Sequence, residues 1–118
     1  MTVTTHGTGD VTLENAQSLD FASATVGGAL NATAATGDLE DSGALTVAGV
    51  SYLKTSAANG NITLDVTTNS LVGNVTLTTN GSSGNVTLDN GTTTLDLAAA
   101  TVGGDLSLTS GNLTGLTD

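Results

Sequence analysis

Cysteine, proline, arginine and tryptophan are missing from this 118-residue chain, and lysine, histidine, tyrosine and phenylalanine occur once each. Without Cys there can be no disulfide, thiolate metal site or Cys nucleophile, and the redox compartment is left open. One cation against eleven carboxylates gives a net charge of −10. No patch can therefore neutralise phosphates or anionic head groups, which excludes nucleic acid and charged membrane surfaces as partners. No apolar run approaches the ~20 residues of a bilayer span, so membrane insertion is excluded as well. The opening residues, MTVTTHGTGD, lack the basic start and apolar stretch of a signal peptide. The export signal of a secreted parent is expected outside this segment. Strong helix formers are also scarce, which excludes long surface helices.

What is present is Thr, Gly, Ala, Ser and Asn, with 28 Leu, Val, Ile and Phe residues among the 118. That is enough large apolar side chain for a thin core. The low complexity hides repetition. SLDFASATVGGAL at 18–30 returns as TLDLAAATVGGDL at 94–106, and GDVTLEN at 9–15 returns as GNVTLDN at 84–90. A unit of about 75 residues has therefore begun a second time and stops partway. Residues 1–118 are expected to be one repeat segment, an excerpt of a longer array. Because NLTGLTD at 112–118 stands where DLEDSGALTV stands in the first copy, the parent is expected to continue with another apolar-polar-apolar strand.

Within the unit runs a shorter beat of Gly, a short polar residue, then an apolar-polar-apolar triplet: GDVTL from Gly9, GALTV from Gly43, GNITL from Gly60, GNVTL from Gly73 and Gly84, GDLSL from Gly104. The pairs Val11/Leu13, Leu45/Val47, Ile62/Leu64, Val75/Leu77, Val86/Leu88 and Leu106/Leu108 have the period of two of a strand with one buried face. Leu19/Phe21 and Leu95/Leu97 do the same around outward Asp20 and Asp96. Asn59-Gly60, Asn80-Gly81 and Asn90-Gly91 would suit hairpins. The return length argues otherwise. Gly9 to Gly28 and Gly84 to Gly104 are both steps of about 20 residues, a regular spacing that a solenoid requires and hairpins do not.

The expected fold is thus an all-β parallel β-helix (β-solenoid) of about six coils of ~19 residues, the long unit dividing into four of them. At ~4.8 Å per coil the rod would be about 30 Å long. Aliphatic ladders would fill the interior, with Ala98, Ala99 and Ala100 in tight corners. Gly and Asn would take the positive φ of sharp turns. Pro is absent because every strand must donate hydrogen bonds to a neighbouring coil.

The ATVGG-L blocks at 24–30 and 100–106, GDLEDSGALTVAG at 37–49, and the GNITLD and GNVTLD strands resemble the repeat region of filamentous haemagglutinin-type exoproteins, large bacterial surface and secreted adhesins. The resemblance implies a right-handed β-helix, an extracellular or bacterial cell-surface location, and a stalk role. The family's secretion domain and its receptor-binding or toxin parts are not matched here, so their activities do not carry over.

No catalytic, cofactor-binding or metal-ligating residue is assigned. His6 is the only His and is expected on the surface, with no partners for a triad or a zinc site. Asp38, Glu40 and Asp41 form the densest acidic group; without the GGxGxDx calcium repeat it reads as a solvated corner. Polysaccharide lyases on this fold use Arg or Lys, and Lys54 stands alone. Outward Thr pairs, the signature of ice-binding ladders, are interrupted by Glu14, Asp65 and Asp89. Seven Asn-x-Ser/Thr sequons, at Asn31, Asn61, Asn74, Asn80, Asn85, Asn90 and Asn112, leave glycosylation open. The expected function is a non-enzymatic rigid stalk segment, the alternative a fibre subunit stacking head to tail through uncapped ends. The partners are neighbouring coils of the parent or other copies of the chain.

Overall fold

The computed structural model describes residues 1–115. Fifteen short strands run β1 (Thr2–Thr4), β2 (Val11–Asn15), β3 (Leu19–Phe21), β4 (Ser23–Val26), β5 (Leu30–Ala34), β6 (Leu39–Asp41), β7 (Leu45–Val47), β8 (Ser51–Ala58), β9 (Ile62–Leu64), β10 (Ser70–Leu71), β11 (Asn74–Asn80), β12 (Val86–Asp89), β13 (Thr94–Thr101), β14 (Leu106–Thr109) and β15 (Asn112–Thr114). They wind into a β-solenoid of about five turns. Its three sheets have the orders β1-β4-β7-β10, β15-β13-β11-β8-β5-β2 and β14-β12-β9-β6-β3; these are called sheets A, B and C. Every strand pairing among the described residues is parallel. The Asn-Gly pairs make corners rather than hairpins: Asn59, Gly81 and Gly91 have positive φ.

Alternation decides which residues form the core. Leu45/Val47, Ile62/Leu64, Val75/Leu77, Val86/Leu88, Leu19/Phe21 and Leu95/Leu97 are all buried, as their period of two predicts. Like stacks on like: Leu39, Ile62, Val86 and Leu106 form one interior column. The column opens at its end, where Leu106 is 41% exposed.

Most glycines serve close stacking rather than positive φ. Gly28 N donates to Gly9 O (3.0 Å) and Gly49 N to Gly28 O (3.0 Å), so the return length predicted from the glycines is one step of the stack. A Cβ on Gly43 would run into the carbonyl oxygen of Ala22 in the coil below. Such contact leaves room only for hydrogen at that corner.

Three expectations are corrected. Coil length is not constant: Val11 pairs with Leu30, but Ser51 pairs with Val75, a return about one-quarter longer. With these long middle coils the chain makes about five turns, close to the expected six. The long unit does not divide into four coils either. GDVTLEN forms β2 in sheet B, while GNVTLDN forms β12 in sheet C, ten strands later. With three strands to a turn, the unit spans three and one-third turns, and its second copy starts one side further round. Finally, Ala98, Ala99 and Ala100 do not fill a corner; they are exposed on β13. Ala22, the counterpart of Ala98, turns the chain between β3 and β4, whereas Ala98 is the extra residue of a bulge between Leu97 and Ala99, opposite Val75 and Thr76. β15 covers only Thr94, Asp96 and the Leu95 between them, so no described strand lies over the three alanines.

Candidate functional site

At the corner between sheets B and C, a column of short polar residues has a structural task. Asp38 N donates to Ser18 Oγ (3.0 Å), Asn61 N to Asp38 Oδ1 (2.7 Å), Asn85 N to Asn61 Oδ1 (2.9 Å) and Asp105 N to Asn85 Oδ1 (2.8 Å). Each side chain thus accepts the backbone N–H of the equivalent residue one coil on, where the strand ladder has not yet begun. At the corner from A to B, Ala29 N donates to Asp10 Oδ1 in the same way (2.7 Å).

A second polar column lies inside, at the corner from C to A. Asn69 Oδ1 accepts from Leu45 N (2.7 Å), and its Nδ2 donates to Asp41 Oδ2 (2.5 Å). One coil on, Asn90 Oδ1 accepts from Leu71 N (2.7 Å) while Nδ2 donates to Leu71 O (3.1 Å), Thr93 O (3.4 Å) and Thr94 O (3.3 Å). Sheet A has no strand in this turn. The Asn90 carboxamide supplies to Leu71 both bonds that such a strand would have made.

The acidic group at 38–41 is split by alternation. Asp38 belongs to the corner ladder, Glu40 is exposed, and Asp41 is only 8% exposed. Asp41 is therefore a buried hydrogen-bonding residue and no solvated corner, which corrects the sequence reading. Its Oδ1 accepts from Asp65 N (3.0 Å). Among the described residues no three His, Asp or Glu side chains converge as a metal ion would need.

Burial raises the Asp41 carboxyl above its ordinary value of 3.8; hydrogen bonds from Asn69 and the Asp65 and Val66 backbone pull the other way, and the Asp65 charge adds to the rise. A folded-state value above the unfolded one stabilises fully below the unfolded value and is lost as pH rises through the folded value. Acidification from neutrality toward the carboxylate range is therefore expected to raise the melting temperature. Relief of self-repulsion at net charge −10 acts in the same direction. Thermal scans at pH 7 and about pH 5 check this, and Asp41→Asn should flatten the dependence. An unaltered slope in that variant would remove Asp41 as a cause.

The remaining candidates scatter. His6 is exposed on the first coil. The outward Thr pairs lie on two faces: Thr12/Glu14 and Thr76/Thr78 on sheet B, Thr63 and Thr87 on sheet C. On sheet C the outward column reads Asp20, Glu40, Thr63, Thr87, Ser107. Of the sequons, Asn90 is fully buried, Asn61 and the exposed Asn85 are engaged in the corner ladder, and Asn31, Asn74, Asn80 and Asn112 are exposed.

Lys54 stands beside a register slip in sheet B. β8 and β11 stay in register from Ser51/Val75 to Lys54/Thr78 and then slip, so that Asn80 pairs with Ala58. Thr55, Ser56 and Ala57 thus oppose Thr79 alone. This irregularity opens a groove of about 360 Å³ lined by Lys54, Thr55, Ser56, Thr78, Thr79 and Asn80. No sequence pattern announces it, because the slip depends on how one strand meets the next.

Two stretches of the chain, residues 8–78 and 83–118, match a family described as repeats of unknown function (DUF5649). The chain belongs to this repeat family. The two matches begin at positions 8 and 83, which reproduces the offset between the GDVTLEN and GNVTLDN motifs. The two matched stretches thus follow the long unit of this chain rather than the single coil, and from the first to the second the chain advances by three and one-third turns. No curated protein and no solved structure matches the chain.

Proposed function

We propose that this chain is a non-enzymatic, rigid stalk segment of a large adhesin, extracellular or on a bacterial cell surface. The observation that supports the reading is the unbroken axial bonding. Sheets B and C and the Ser18-Asp38-Asn61-Asn85-Asp105 corner ladder run through successive coils, and sheet A joins them as far as β10. A load along the axis is then shared by many backbone hydrogen bonds at once, while the acidic, Thr-rich exterior keeps the shaft soluble. The resemblance to filamentous haemagglutinin-type repeats supplies the location and the adhesin context.

A second reading, a fibre subunit stacking head to tail, is favoured by the apolar surface at the last coils. Leu106 is 41% and Leu113 37% exposed, each at the end of an interior column. Sedimentation and negative-stain microscopy of the isolated chain separate the two. Particles of one molecule's length, which lengthen in proportion when repeat units are joined in tandem, support the stalk. Long filaments formed by the single segment would overturn it in favour of the fibre.

A further inference from the structure

We propose that the groove between β8 and β11 binds a short saccharide carrying one carboxylate, with Lys54 facing the acid group and Tyr52 packing against the sugar ring. The proposal is independent of the stalk reading. The chain's one lysine and its one tyrosine sit two positions apart on the outward face of β8. Tyr52 is 48% exposed, whereas the chain's other aromatic residue, Phe21, is buried. No carboxylate lies within 4.0 Å of Lys54 among the described residues, although the chain carries eleven.

The groove beside this pair is built by the register slip and held open by engaged side chains. Thr55 Oγ1 donates to Gly37 O (2.6 Å), Thr79 Oγ1 accepts from Gly103 N (3.1 Å), and Asn80 Nδ2 donates to Ser56 O (3.0 Å). These bonds fix the floor and the far wall. Lys54, Ser56 and Thr78 line the same groove, and Asn80 has its Oδ1 left as an acceptor. Thr33 on β5 and Thr76 on β11 extend the polar surface beside Lys54 and Tyr52.

Chemistry narrows the occupant. β8 and β11 are paired on both sides, so an extended peptide finds no free edge to join. The groove lining offers no apolar side chain as an anchor pocket for a peptide or a lipid chain. A polyhydroxylated ring matches a row of hydroxyl and amide groups, and its C–H face suits the amphipathic tyrosine. One ammonium balances one carboxylate, whereas the net charge of −10 repels a polyanion. A ligand with a single acid group satisfies both conditions.

The test uses the intact chain labelled with ¹⁵N and two probes, a glucuronate-glucose disaccharide and its neutral glucose-glucose counterpart. Amide shifts confined to Tyr52, Lys54, Ser56, Thr78 and Asn80 are expected, with the acidic disaccharide bound about two- to fivefold more tightly, as one partly exposed ion pair contributes. Lys54→Gln should erase that preference and leave neutral binding intact. Tyr52→Ala should weaken both probes about fivefold or more. Both side chains point to solvent, so the variants keep the wild-type melting temperature. Absence of shifts in the wild type, shifts at another face, or an acid preference that survives Lys54→Gln would each overturn the proposal.

Discussion

Leu77→Asp is expected to remove much of the chain's stability, whereas Thr76→Asp, one residue away, should change it by less than about 1 kcal/mol. Leu77 is fully buried, stacked between Leu53 and Ala100 of the neighbouring coils. A carboxylate there loses the contacts of the leucine and gains no partner, a cost of about 4 kcal/mol or more against a total of roughly 5–15 for a domain. Thr76 lies on the outward face of β11, paired with Tyr52. Leu88→Asp and Thr87→Asp form a matching pair on sheet C, where Leu88 is buried and Thr87 exposed. Circular dichroism melts of the four variants provide the check, and equal losses within a pair would show that the faces are assigned wrongly.

Asn90→Ala is expected to cost about 3 kcal/mol, the largest effect of any uncharged substitution at a polar position. The substitution strips Leu71 of the partners for both its N–H and its C=O, inside the protein where water does not replace them. Asn85→Ala removes a bond of similar length to Asp105 N, but Asn85 is exposed and water fills in, so about 1 kcal/mol is expected. Asn90→Asp should be as damaging as the alanine at pH 7, since a carboxylate would face the carbonyl oxygens of Leu71, Thr93 and Thr94. Lowering the pH should partly restore it, because a protonated acid donates. Urea unfolding at two pH values measures all three. An Asn90→Ala loss no greater than that of Asn85→Ala would mean that the carboxamide is not what completes sheet A.

The inward faces were legible because alternation is a local property: Val75/Leu77 and Val86/Leu88 announce themselves within one short motif each. The stacking of Gly28 on Gly9 and of Gly104 on Gly84 was legible from the return length alone. The length of the middle coils was not, since they carry extra residues at the slip beside Thr79 and in the stretch between β9 and β10. Nor could the sequence distinguish Ala22 from Ala98. The same short motif bends into a corner where sheet A begins and runs on as a bulged strand where it lies over β11. That choice is made by the coil beneath. For the candidate groove, Tyr52 and Lys54 were visible as residues, but the cavity beside them arises between strands. The burial of Asp41 was masked by its neighbours Asp38 and Glu40, which gave the whole group a polar look.

The one-third turn by which each copy outruns a whole number of coils has a consequence for any chain that repeats this unit. A feature borne by the unit, such as a side-chain patch or a glycan, does not line up along one flank; successive copies point about 120° apart, as on a threefold screw. After three copies the original bearing returns. A shaft of this kind is decorated evenly in all directions, so it has no preferred side from which to be approached, and two neighbouring shafts meet matching surfaces only at every third copy.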